Sequence, residues 1–288
     1  MTAGTPRVTT RAAWLAAPLA DLTDRSLPGV VLATFQRSAY VDLGGRIVAL
    51  VASDLELGPF TIVLNDFGAV REHCSTGPVA LDGGLLRIGA ADVDLRAAAI
   101  WNPALPSLAG AGLGTARDAA IDTLLAAAPP GSIAPLLQPG RASGPLLGPL
   151  SRGLDALADL LDDAEAADDA WRDAAVKIAG RGPGLTPSGD DLLMGIVLAL
   201  VVWPHLARTE PIPDLLVDAA RSKTTRISGA YLDAARRGWA AEPWHALMRA
   251  LDDAAATRTA VRRLARVGET SGADALTGFC WAWRRLVD

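Results

Sequence analysis

The sequence predicts an α+β protein: an N-terminal antiparallel β-sheet or barrel-like half, followed by a C-terminal α-helical half. Between Pro28 and Arg96, short β-type runs alternate with Gly-rich turns. After Trp101 the apolar spacing changes to the helical period. A chain that is 50% hydrophobic and 20% charged is folded rather than disordered. Its 288 residues allow one large domain or two modest ones. The change in texture divides the chain into an N-terminal segment 1–27, a β-rich half 28–101, a loop-rich connection with one helix 102–150 and a helical half 151–288.

In order along the chain, the strand candidates are VVLATF, AYVDL, RIVALVAS, FTIVL, LLRIG and VDL, separated by GG, LGP, NDFG and LDGG. Gly-Gly and Asp-Gly pairs between alternating apolar residues are hairpin signals. NDFG is read as a turn, with Asn65 and Asp66 able to border a pocket. TARDAAIDTLLAAA has helical spacing, and so has the stretch 151–180, for which Ser151 is the candidate N-cap. From Ser188 onward helices are expected over 188–202, 211–222, 226–238, 242–267 with a break, and 271–287. Phe279, Trp281 and Trp283 read as core packing of the last helix.

Composition narrows the function. The net charge of −5 is spread along the chain without a basic stripe, so nucleic acid is not an expected partner. The longest apolar run, Leu192 to Trp203, is far short of the ~20 residues of a membrane span, and the N-terminus lacks a signal-peptide core. Cys74 and Cys280 have no metal or disulfide spacing, which fits a reducing cytoplasm. His73, His205 and His245 have no ligand spacing either, and Cys74 beside His73 is a poor thiol–imidazole pair because adjacent side chains rarely face each other.

The chemistry concentrates in GRGPGLTPSGDDLLMGIVLAL, residues 180–200. Ser188 followed by Asp191 fits a capping box at a helix start. The octet SGDDLLMG (188–195) is echoed by SGADALTG (271–278), both spelling S-G-x-D-x-L-x-G. Asp191 and Gly195, like Asp274 and Gly278, are four residues apart and share a helical face, so two such helices could cross closely with their aspartates side by side. Like charges that close need a cation, a shared proton or a donor-rich ligand. Glycines Gly189 and Gly272 are expected to expose first-turn N–H groups able to bind an anion. Between the copies, Lys223, Thr224, Thr225, Arg226 and Ser228 pack two cations and three hydroxyls into six residues, a pattern suited to phosphate or carboxylate. Asp190, Asp191 and Asp274 are therefore the candidate catalytic groups. The candidate anion- and substrate-binding set is Thr186, Ser188, Gly189, Lys223, Thr224, Thr225, Arg226, Ser228, Thr270, Ser271 and Gly272.

GPGLTPSGDDLLMG, KTTRIS and GETSGADALTG together resemble the signature blocks of the AllH-like family of bacterial proteins, whose named member is a subunit associated with oxamate carbamoyltransferase. A fainter resemblance extends to FQRSAYVDLGGRIVALVASDLELGPFTIVL and LRIGAADVDLRAAAIWNP, and Glu269 and Met194 depart from the pattern without removing a candidate ligand. The resemblance implies carbamoyl transfer between phosphate and the amino group of oxamate, within an assembly of several subunits. In that setting Lys223, Arg226 and the helix starts would hold phosphate or carboxylate. The aspartates would accept from amide N–H groups or act as base, and N–H groups after Ser188 or Ser271 would stabilise an oxyanion. Two alternatives stand beside it. One is an Mg²⁺- or Mn²⁺-dependent phosphoryl-transfer or hydrolytic enzyme using Asp190, Asp191 and Asp274. The other is a non-catalytic subunit binding a small anion or nucleotide. No organic cofactor is expected; the partners expected are other subunits or further copies of this chain.

Overall fold

A computed structural model describes residues 8–74, 78–108, 114–140, 143–163, 165–204 and 211–287. The chain divides into two compact units, Met1–Pro103 and Ala104–Asp288.

The first unit holds strands β1 (Val8–Ala16), β2 (Ser26–Thr34), β3 (Ser38–Leu43), β4 (Arg46–Ala52), β5 (Thr61–Leu64), β6 (Val79–Asp82), β7 (Leu85–Ile88), β8 (Ala91–Asp94) and β9 (Ala99–Trp101), with a short helix α1 (Phe67–Arg71). Gly44 and Gly45, at φ 58° and 92°, and Gly83 and Gly84, at 54° and 77°, take the left-handed backbone of two-residue hairpins, as the Gly-Gly signals predict. They set Leu43 opposite Arg46 and Asp82 opposite Leu85. Burial then alternates along β3, β7 and β8 with the period of two expected of a sheet with one inner face.

The strands run in the order β5-β4-β3-β2-β6-β7-β8-β1, and a further β5–β1 pairing closes the sheet on itself; β9 continues alongside β1 beyond β8. Closure leaves these eight strands no free edge. The barrel-like half is thus observed, but it is mixed rather than wholly antiparallel: β4–β5, β1–β8 and β1–β9 are parallel pairs. Two of these pairs come from β1, which lies in the segment before Pro28 and inserts between β5 and β8. A register shift between Ala12 and Trp14 breaks its alternation, so the periodicity that reveals the other strands fails there. NDFG is a helix start rather than a plain turn, since the Asp66 carboxylate accepts from Ala69 N–H at 3.0 Å and caps α1.

The second unit is helical: α2 (Gly114–Ala127), α3 (Leu147–Asp162), α4 (Asp168–Ile178), α5 (Ser188–Val202), α6 (Ile212–Ala220), α7 (Arg226–Ala235), α8 (Glu242–Ala250), α9 (Ala254–Leu264) and α10 (Ser271–Leu286). Ser151 is not an N-cap; it lies inside α3, which begins at Leu147. The helix runs through Pro149 because a first-turn proline lacks only an N–H that has no partner within the helix. The break in 242–267 is at Asp253, whose carboxylate accepts from Ala255 and Ala256 N–H and starts α9.

Helix α5 is apolar around its whole circumference, the pattern of a helix surrounded by others, and of its residues only Met194 and Val201 are less than fully buried. Residues Gly272–Trp283 of α10 are all buried beside it. Trp203 packs on Phe279 and Trp283 with ring centroids 5.3 and 5.4 Å apart, and Trp281 is also buried, so the C-terminal aromatics form core as expected. No helix among the described residues is long and apolar enough to cross a membrane.

Candidate functional site

The sequence echo becomes a structural repeat. On α5, Ser188, Asp191, Leu192 and Gly195 share one face, and on α10 Ser271, Asp274, Ala275 and Gly278 do the same. A Cβ on Gly195 would sit 1.8 Å from the Ala275 carbonyl oxygen, and one on Gly278 would sit 1.9 Å from that of Leu192. Each glycine therefore admits the backbone of the other helix, reciprocally. Gly189 and Gly272 repeat the device nearly two turns earlier: their Cβ atoms would meet the carbonyls of Ile178 and Leu264, the last residues of α4 and α9. The pairs α4–α5 and α9–α10 are thus two copies of one helix–turn–helix unit, packed so that the starts of α5 and α10 lie side by side.

Those starts differ from the capping-box expectation. Pro187 is the N-cap of α5 and Thr270 that of α10; Ser188 and Ser271 are the first helical residues, with no side-chain cap at either end. Nor are the Gly189 and Gly272 amides open to an anion. Gly189 N–H donates to Arg181 O at 2.8 Å, Asp190 and Asp191 N–H to Pro187 O, Gly272 N–H to Val267 O and Asp274 N–H to Thr270 O. The loops before both helices curl back and take the Gly189 and Gly272 N–H groups, whereas the Asp191 and Asp274 N–H bonds to Pro187 and Thr270 are the first ordinary turns of their helices.

The serines and aspartates bond across the pair instead. Ser271 hydrogen-bonds to Asp191 and Ser188 to Asp274, while the Thr186 and Ser271 hydroxyls are 2.9 Å apart. Ile133 N–H donates to Asp274 Oδ1 at 2.8 Å, with Ser132 and Thr270 adding hydroxyls. One oxygen of each carboxylate is left over: Asp191 Oδ2 and Asp274 Oδ2 are buried and have no hydrogen-bond partner. Asp191 and Asp274 are 4% and 0% exposed, so water does not replace the missing donor freely. Burial pushes the Asp191 carboxyl well above the ordinary 3.8; the Ser271 hydrogen bond opposes this, and the charges of Asp274 and Asp190 add to the rise. Burial likewise raises Asp274 against the hydrogen bonds from Ile133, Ser188, Thr270 and Ser132.

Asp190 has another role. Gly180 N–H donates to its Oδ1 at 2.7 Å, Thr224 Oγ1 donates to its Oδ2, and Ser228 also hydrogen-bonds to it. It fastens the GRGPGLT loop to the start of α7, with burial raising its carboxyl and these donors opposing. Thr225 caps α7 by accepting from Ser228 N–H at 3.0 Å, and its hydroxyl donates to Leu185 O at 2.5 Å. The three segments singled out in the sequence are therefore joined, with the 180–187 loop between the other two. Lys223 and Arg226 have exposed side chains at the rim of this assembly.

Ser132 and Ile133, within a proline-rich stretch read as connection, are the contributors sequence reasoning missed; a backbone N–H leaves no signature in residue type. Cys74 and Cys280 are free and buried, and burial pushes their thiols up to about 11 and about 12. His73 and His245 are half-buried, and His205 lies outside the described residues. Among the described residues no three His, Cys, Asp or Glu side chains are grouped so as to hold one metal ion; Asp190, turned toward Thr224 and Gly180, does not complete a set with Asp191 and Asp274.

A family comparison decides what this arrangement is similar to. Residues 178–283 match the model of AllH, described as oxamate carbamoyltransferase subunit AllH. The AllH match runs from the end of α4 into α10, so it contains both copies of the repeated octet and the KTTRIS segment, and bears out the resemblance read from those blocks. Its name is that of a subunit of a carbamoyl-transferring enzyme. The stretches of fainter resemblance in the β unit lie outside the AllH match, as do Ser132 and Ile133. No solved structure matches the chain.

Proposed function

We propose that the chain is a subunit of a carbamoyltransferase-type enzyme acting on small anionic amides such as oxamate or carbamoyl phosphate, and that the substrate amide enters between the starts of α5 and α10. The observation supporting this site is the pair of buried oxygens, Asp191 Oδ2 and Asp274 Oδ2, that have no donor. A buried acceptor left unpaired costs about 1–3 kcal/mol, and an amide NH₂ brings two donors to the place where two are missing. Ser188, Ser271, Thr186 and Thr270 surround these carboxylates with hydroxyls that can turn to give or accept. Lys223 and Arg226, at the rim, would meet the phosphate or carboxylate end of the substrate.

One feature favours a holding role over catalysis by this chain alone. The Gly189 and Gly272 N–H groups, one at each helix start, are spent on the preceding loops and are not offered to an oxyanion. On this reading the chain grips the amide while another subunit completes the reacting centre.

Calorimetric titration of the full chain with oxamate and with carbamoyl phosphate tests the site. Asp191→Asn and Asp274→Asn are each expected to weaken binding at least about tenfold, or 1.4 kcal/mol, while cooperative unfolding is retained. Unchanged binding in both variants would sink the reading. Carbamoyl transfer assayed with and without companion subunits separates holding from catalysis; full activity of the isolated chain would remove the holding role.

A further inference from the structure

We propose that Asp191 and Asp274 hold a single proton between them, as a carboxylic acid beside a carboxylate, and that this state makes the site a receptor for the edge of a primary carboxamide. The inference rests on the reading that a substrate amide enters here, and adds which chemical class the site selects and why.

The helix pairing fixes the two groups. Gly195 and Gly278 bring the backbones of α5 and α10 into contact one turn below the aspartates, so both carboxyls are carried by one close helix crossing. Each has an oxygen bonded to donors of the surrounding segments and a second, buried oxygen with none. Two buried acceptors without a donor are what a site looks like when its remaining donor is a hydrogen on one of the acceptors. A cation could take the same place, but the charged side chains of the neighbouring segments, Lys177, Arg181, Lys223, Arg226, Arg266 and Glu269, are exposed. The Arg181 guanidinium turns back to the Lys177 carbonyl. Asp190 adds negative charge, itself held by Thr224, Gly180 and Ser228. Both carboxyls are buried and the charge of Asp274 adds to the cost of ionising Asp191, so a first proton is retained. Two helix N-termini converge on the pair, and their positive ends favour keeping the second group ionised.

The proton count sets the ligand. A singly protonated pair presents one O–H donor and one O⁻ acceptor, matching the C=O and N–H of one carboxamide edge. A doubly ionised pair would select an ammonium or a metal ion instead, and a doubly protonated pair would select a carboxylate. The two are not equivalent: Asp274 has the Ile133 N–H to support its charge, whereas the neighbouring charges raise Asp191, so Asp191 carries the proton.

Carboxyl ¹³C NMR on the full chain reads this directly, the resonances of Asp190, Asp191 and Asp274 being assigned from Asn variants. Expected is that one carboxyl of the Asp191–Asp274 pair stays protonated at neutral pH, and that Asp274→Asn moves the Asp191 titration to lower pH. If both groups of the pair are ionised above about pH 5, the range of ordinary carboxylates, the shared proton is overturned. Perturbation of both resonances by Mg²⁺ alone would overturn it in favour of a metal. Oxamate titrated across pH gives the second readout: affinity should fall as pH rises through the pair's upper titration. Tight, pH-independent oxamate binding would overturn the proton-sharing and leave the amide site standing, whereas absence of oxamate binding at every pH would remove the amide site itself.

Discussion

Adjacent residues Asp190 and Asp191 carry the same carboxyl and do opposite things. A rotation of about 100° along the helix turns Asp190 toward Gly180, Thr224 and Ser228, where donors satisfy it, and turns Asp191 toward α10, where one oxygen stays unpaired. This has a consequence for stability. Burial raises the Asp191 and Asp274 carboxyls above 3.8, so the folded chain keeps protons that the unfolded chain releases. Their contribution is complete below the unfolded value and is lost as pH rises through the folded values. The urea midpoint should therefore decline as pH rises above the ordinary carboxylate range, and Asp191→Asn should flatten that decline. Asp94, held down to about 2 by Arg96, acts only at lower pH and does not confuse the measurement. An equal decline in the variant would show that the pair is not the source.

At the scale of elements, the two octets matter as helix faces rather than as motifs. Their serines failed as caps because the chain enters each helix one residue earlier than the S-x-x-D pattern implies, at Pro187 and Thr270. The spacing of Asp and Gly, by contrast, predicted the close crossing, because a four-residue interval puts both on one face whatever the cap does. Gly278→Ala places a methyl within 1.9 Å of the Leu192 carbonyl, a backbone atom that cannot turn aside. It should cost about 3 kcal/mol in denaturant unfolding, at the upper end of overpacking, whereas Met194→Ala, at a partly exposed position of α5, should cost less. Similar losses for the two would mean that the helices do not meet through glycine. The KTTRIS segment, read as an anion cluster, spends Thr224 and Thr225 on holding the site's loop, which leaves Lys223 and Arg226 as its charged ends.

For the whole molecule, two units with separate cores raise the question of whether they unfold together, and each carries one buried thiol to report on it. Both thiols are protonated and shielded in the folded state. Titrated with denaturant in the presence of a thiol reagent, Cys74 should report opening of the β unit and Cys280 opening of the helical unit; rapid labelling of either without denaturant would contradict its burial. By itself the sequence determined the β-then-α order, the Gly-Gly hairpins, the buried α5 and α10 and the paired octets. All of these follow from local periodicity, turn chemistry or repetition, which residue order carries directly. Tertiary structure alone decided that β1 closes the barrel in parallel with β8, that the preceding loops take the Gly189 and Gly272 N–H groups, that a backbone N–H from Ile133 supports Asp274, and that Gly180, Thr224 and Ser228 make Asp190 an anchor. These depend on which donors the folded chain brings within reach of each carboxylate, and hydrogen-bond supply across distant segments has no period or spacing for a sequence to record.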